Sequence, residues 1–97
     1  MNEIAIKEVM DYIENDLFEP GTSWPNHIFE ERSYSRWAAY EIIQRLMDRP
    51  LDPPEITIEE FIFDMESYYT ITENPRIERI FSIAADIGKN VLQIVQK

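Results

Sequence analysis

Apolar residues return every three or four positions along most of this chain, the spacing of one face of an α-helix, and proline or glycine interrupts the pattern between runs. Ile6, Val9, Met10, Ile13 and Leu17 form the first run and predict a helix over about 2–18. Asn2 is its candidate cap, and Glu3 suits the positive end of its dipole. Glu19-Pro20-Gly21 stops it.

A second helix is predicted over about 33–49, capped by Ser33 or Ser35. Its candidates for burial are the stem of Arg36, Ala39, Tyr40, Ile43, Leu46 and Met47, beside Trp37 and Ile42. Between the first two helices, residues 20–32 lack a clear period, yet they carry Trp24, Ile28 and Phe29, which are costly to leave in water. The stretch is expected to fold back onto the bundle, with a helical turn allowed from Pro25 or Asn26.

Pro50, Pro53 and Pro54 close the second helix, because proline neither donates a backbone hydrogen bond nor lets its predecessor stay helical. Thr57 and Glu60 then read as a capping box, with Ile56 and Phe61 as a hydrophobic staple, and predict a third helix over about 57–72. Its stripe is Ile58, Phe61, Ile62, Met65 and Tyr68 or Tyr69; Ile71 continues it less regularly. Strand-like composition at 68–72 is the main hazard to its end.

Asn74-Pro75 pairs a capping residue with a proline at the first helical position, and the period then holds from Ile77 to Val95. This predicts the longest helix, over about 75–96. Ile83, Gly88 and Leu92 broaden its apolar surface, so it is expected to be central, or else buried against a second copy. Gly88 costs about 1 kcal/mol relative to alanine in a helix interior. Close approach by a neighbouring helix would offset that. The expected fold is an all-α compact single domain, residues 1–97, of four main helices with the C-terminal one central.

Composition narrows the function. A net charge of −10 with nine basic side chains disfavours direct nucleic-acid binding and anionic membrane surfaces. No run of about 18 apolar residues is present to cross a bilayer. The chain has no cysteine, which removes disulfides and thiolate chemistry and suits a cytoplasmic location. The acidity is also uneven. Residues 1–31 carry −7 (eight acids, Lys7) and residues 50–75 carry −7, whereas 32–49 and 76–97 each carry +2. Acidic first and third segments beside basic second and fourth ones favour one helix arrangement over its alternatives.

Candidate chemistry is sparse. His27, Glu30 and Glu31 have the spacing of one helical face and are the candidates for a metal site or an acid/base pair in a small enzyme, but a hydrolytic metal ordinarily needs three ligands in defined geometry. Glu55, Glu59, Glu60 and Asp64 suit a helix start. With Gly21 and Gly88 the only glycines there is no phosphate loop, and no catalytic residue or cofactor is expected. An acidic mimic of DNA is a further alternative. The leading expectation is a non-enzymatic interaction or regulatory domain that binds a protein partner or a second copy of itself. Its candidate partner-binding residues are Trp24, Phe29, Arg32, Tyr34, Arg36, Trp37 and Tyr40, because Trp, Tyr and Arg are the usual anchors of interfaces.

Overall fold

The computed structural model describes residues 2–15 and 26–96, with side chains in the second stretch described from Ser33 onward. Among these residues there are four helices and no strand: α1 Glu3–Asn15, α2 Asn26–Asp48, α3 Pro54–Ile71 and α4 Pro75–Val95. The body measures 39 × 37 × 20 Å, and its short dimension is that of two helix layers at about 10 Å each.

The long C-terminal helix is central, as its broad apolar surface requires. It packs against α1, α2 and α3, most extensively against α3. Ala84, Ala85, Ile87, Gly88 and Val91 are its buried residues. Asn74 caps it as expected, its Oδ1 accepting from the backbone N–H of Arg76 at 2.9 Å. The packing reason for Gly88 is direct: a Cβ there would stand 2.7 Å from Ile62 Cγ1 and 3.2 Å from Phe61 Cδ1. The missing side chain lets α3 lie close.

Around that seam the core gathers Val9 and Ile13 from α1, Ile42 and Leu46 from α2, and Ile58, Phe61 and Met65 from α3. Fully burying such side chains contributes about 1.5–3 kcal/mol each. The charge alternation is used here as well. Arg45 of α2 donates to Asp64 of α3 at 2.8 Å, and its guanidinium lies 5.2 Å from the centre of the Phe61 ring. Lys89 of α4 pairs with Glu66 of α3 at 3.1 Å. Arg49, just past α2, holds Glu60 of α3 and also Asp52 at 2.6 Å. Hydrogen bonds to Glu60 first and Asp52 second keep the Arg49 guanidinium protonated beyond even the ordinary arginine range. Each pair is partly exposed and screened by water, so together they select an arrangement more than they stabilise it.

Several local expectations are corrected. The second helix begins at Asn26, so Ser33 and Ser35 lie inside it and cap nothing, and at 23 residues it, not the 21-residue α4, is the longest of the described helices. The third helix begins at Pro54, with Pro53 before it and no side-chain cap. Proline fits the first turn of a helix because its missing N–H is not needed there, and this displaces the capping box. Thr57 is therefore inside the helix, with its hydroxyl buried and without a hydrogen-bond partner, and Ile56 points outward while Phe61 is buried, so they form no staple. The end of the third helix is as expected: it runs through the strand-like residues 68–71.

At the N-cap position of α1, the Asn2 side chain turns away from its own helix. Its Nδ2 donates to the carbonyls of Leu46 at 3.0 Å and Arg49 at 2.7 Å, and its Oδ1 is left without a partner. It ties the start of α1 to the end of α2, where helix carbonyls lack donors. The expected extension of the first helix through Leu17 to about residue 18, and its Pro20-Gly21 stop, lie outside the described residues.

Candidate functional site

The burial of α2 is rotated from the face expected of its largest residues. Ala38, Ala39, Ile42, Ile43 and Leu46 face the core, whereas Trp37, Tyr40 and Met47 are 41%, 46% and 58% exposed. Tyr40 and Met47, expected inside, are thus corrected to the outer face. The inward face combines two small residues, Ala38 and Ala39, with the aliphatic Ile42, Ile43 and Leu46, and a helix packed through that face leaves Trp37, Tyr40 and Met47 on the other.

At roughly 100° per residue, Trp37, Tyr40, Gln44 and Met47 fall within about 80° of one another around the helix. All four are exposed, which makes one continuous outward stripe. Tyr34 and Arg36 stand half-buried on opposite flanks of it. Four of the expected partner-binding residues therefore meet on or beside one helix face, and Gln44 and Met47 join them. The sequence signal for Met47 was its three- and four-residue step from Tyr40 through Gln44. The expected Trp24, and the side chains of Phe29 and Arg32, lie outside the described residues.

Carboxylates line one edge. Glu41 and Asp48 stand seven residues apart on the Tyr34 side of the stripe. Neither belongs to an ion pair of the described residues. Opposite them the edge is Arg36 and the buried Ile43.

Two other surfaces compete for attention. Phe63 of α3 is 70% exposed, but its nearest exposed apolar neighbour on that face is Ile56, two turns away, with Glu59 and Glu60 between them. A shallow groove of about 430 Å³ between α3 and α4 is walled by Tyr69 and Phe81. Glu66 and Lys89 on its rim already satisfy each other. Tyr68, Tyr69, Ile71 and Ile77 near this groove are 45%, 47%, 74% and 40% exposed, but they are divided between two helices, whereas the α2 residues share one face of a single helix.

The backbone of 26–31 is helical and so gives His27, Glu30 and Glu31 the one-face spacing that a metal or acid/base role would use; their side chains lie outside the described residues. Among the described residues no three His, Cys, Asp or Glu side chains come together as a metal site. No described helix is long and apolar enough to cross a membrane. Comparison with protein-family models, curated proteins and solved structures finds no match.

Proposed function

We propose that this chain is a non-enzymatic interaction or regulatory domain that seats a protein partner on the outer face of α2. The observation that carries it is the stripe of Trp37, Tyr40 and Met47, exposed together on a helix whose other side already serves the core. Aromatic residues and methionine are enriched at interfaces, and a contiguous cluster of them is worth more to binding than the same residues scattered singly. Self-association was suggested by the breadth of α4; that helix packs against α1, α2 and α3 within one chain, where Ala84, Ala85, Ile87, Gly88 and Val91 are buried, which lessens the need for a second copy. A net charge of −10 further favours a partner that is neither nucleic acid nor another copy. The same charge and the absence of cysteine suit a cytoplasmic setting.

The test is a paired capture from native cells, with wild-type protein against a Trp37→Ser/Met47→Ser variant whose helix content matches. A protein retained by the wild type and lost by the variant is expected. Identical captures on both would remove the α2 face as the docking surface.

A further inference from the structure

The outward stripe of α2 has a finer regularity than exposure alone. Trp37, Tyr40, Gln44 and Met47 are separated by three, four and three residues, and Ser33, also exposed, precedes Trp37 by four. Alternating steps of three and four are the seam positions of a two-helix coiled coil, which set a strip of side chains against a second helix lying nearly parallel. From Trp37 to Met47 the strip is about 15 Å long at 1.5 Å per residue, close to three turns. One apolar side suffices for a helix that only covers a core, and α2 already has that side in Ala38, Ala39, Ile42 and Leu46. The seam is a second side. Gln44 in its middle is a polar residue at a seam position, a device that fixes register between helices.

The flanks indicate what kind of helix fits. In such a seam the positions on either side carry the charges that choose a partner, and one flank here reads Tyr34, Glu41 and Asp48 at seven-residue intervals. Glu41 and Asp48 take part in none of the ion pairs of the described residues, unlike Glu60, Asp64 and Glu66, which are occupied by Arg49, Arg45 and Lys89. A second copy of the chain would bring −10 against −10. We infer that the occupant is a basic amphipathic helix of a partner protein, which lays apolar side chains on Trp37, Tyr40 and Met47 and sets Lys or Arg against Glu41 and Asp48. The inference rests on the proposal that the outer face of α2 is the docking surface, and adds the partner's shape and charge.

A displayed library separates the two. Helices of about three heptads, with Leu at the seam positions and Lys, Glu or Gln at the flanking ones, are selected against the full chain. Expected is enrichment of Lys at flanking positions, with binding weakened roughly tenfold or more by Trp37→Ser and by Met47→Ser, two independent exposed sites that guard against misfolding of either variant. Glu41→Gln combined with Asp48→Asn is expected to weaken it about fivefold at low salt, a difference that shrinks as salt screens the charges. Enriched helices with Glu or Gln flanks that still need Trp37 and Met47 would overturn the basic partner and leave the docking face standing. Helices indifferent to both serine variants, or no enrichment above an unrelated protein, would overturn both. Dimerisation of the chain alone in sedimentation, abolished by Met47→Ser, would assign the seam to a second copy instead.

Discussion

The inner face of α3 and the outer face of α2 carry large apolar side chains at the same three- and four-residue steps, yet Phe61 is wholly enclosed and Met47 stands more than half exposed. Spacing decides which side chains share a face. Whether the face is covered depends on how closely a neighbour can approach, and here small residues mark the approach. Ala5, Ala38, Ala39, Ala84 and Ala85, all the alanines of the chain, are buried, as is Gly88. On α4 Gly88 sits against Ile62 and Phe61 of α3 and lets them in. On α2 the two alanines face inward together with Ile42, Ile43 and Leu46, and the large residues of the opposite side, Trp37, Tyr40 and Met47, are left outside.

The sharpest way to break the comparison is to remove a large side chain from the closed side. Phe61→Ala should lower unfolding free energy by about 3–5 kcal/mol, the usual cost of deleting a buried aromatic ring. Arg45 would lose the ring it lies over as well. A loss below about 1 kcal/mol in urea denaturation would mean that the seam is not closed as described.

Next in size is the point where α1 is tied to the inner end of α2. At an N-cap position Asp and Asn are ordinarily equivalent, so the sequence alone predicts no effect for Asn2→Asp. The structure predicts a loss of about 2 kcal/mol or more, because a carboxylate would offer no donor to the Leu46 and Arg49 carbonyls and would meet the negative end of the α2 dipole. A thermal melt unchanged from wild type at neutral pH would show that this tie does not form.

These two cases also show how far the sequence could be read. The number of helices, the central place of α4, the Asn74 cap and the reason for Gly88 were legible, because each rests on local chemistry or a long unbroken period. The start of α2 was legible only in part: a helical turn was allowed from Pro25 or Asn26, and the helix does begin at Asn26, but nothing local says that it will run on through Ser33 and Ser35. The capping box at Thr57 was a true local signal, overridden by prolines that fit the first turn better. Of the candidate site, Trp37 and Tyr40 were recognised by residue type. Met47 and the burial phase of α2 were missed, because the expected face was assigned by side-chain size rather than by where the alanines lie.

Smaller effects sharpen the contrast. Gly88→Ala adds about 1 kcal/mol of helix propensity but drives a methyl into Ile62 and Phe61, an overpacking that typically costs about 1–3 kcal/mol. The net expectation is a loss of about 1 kcal/mol, where a gain would mean that α3 gives way easily. Thr57→Val should act in the opposite direction. Both residues are β-branched and similar in helix propensity, and the exchange removes a buried hydroxyl that has no partner. A gain of about 1 kcal/mol is expected, and a loss would reveal a bond to that hydroxyl.

The smallest expected effect bears most directly on the outer face. Met47→Gln replaces one long, unbranched, helix-favouring side chain by another of similar length, so neither propensity nor shape changes much. Because Met47 is already 58% exposed, little apolar contact is lost, and unfolding free energy should stay within about 0.5 kcal/mol of wild type. A loss of 2 kcal/mol or more would place Met47 in the folded core and remove it from any docking surface. Near-neutral stability joined to weakened capture of a helical partner would be the signature of a residue kept for binding, since the same change in polarity on the inner face of α3 would unfold much of the population.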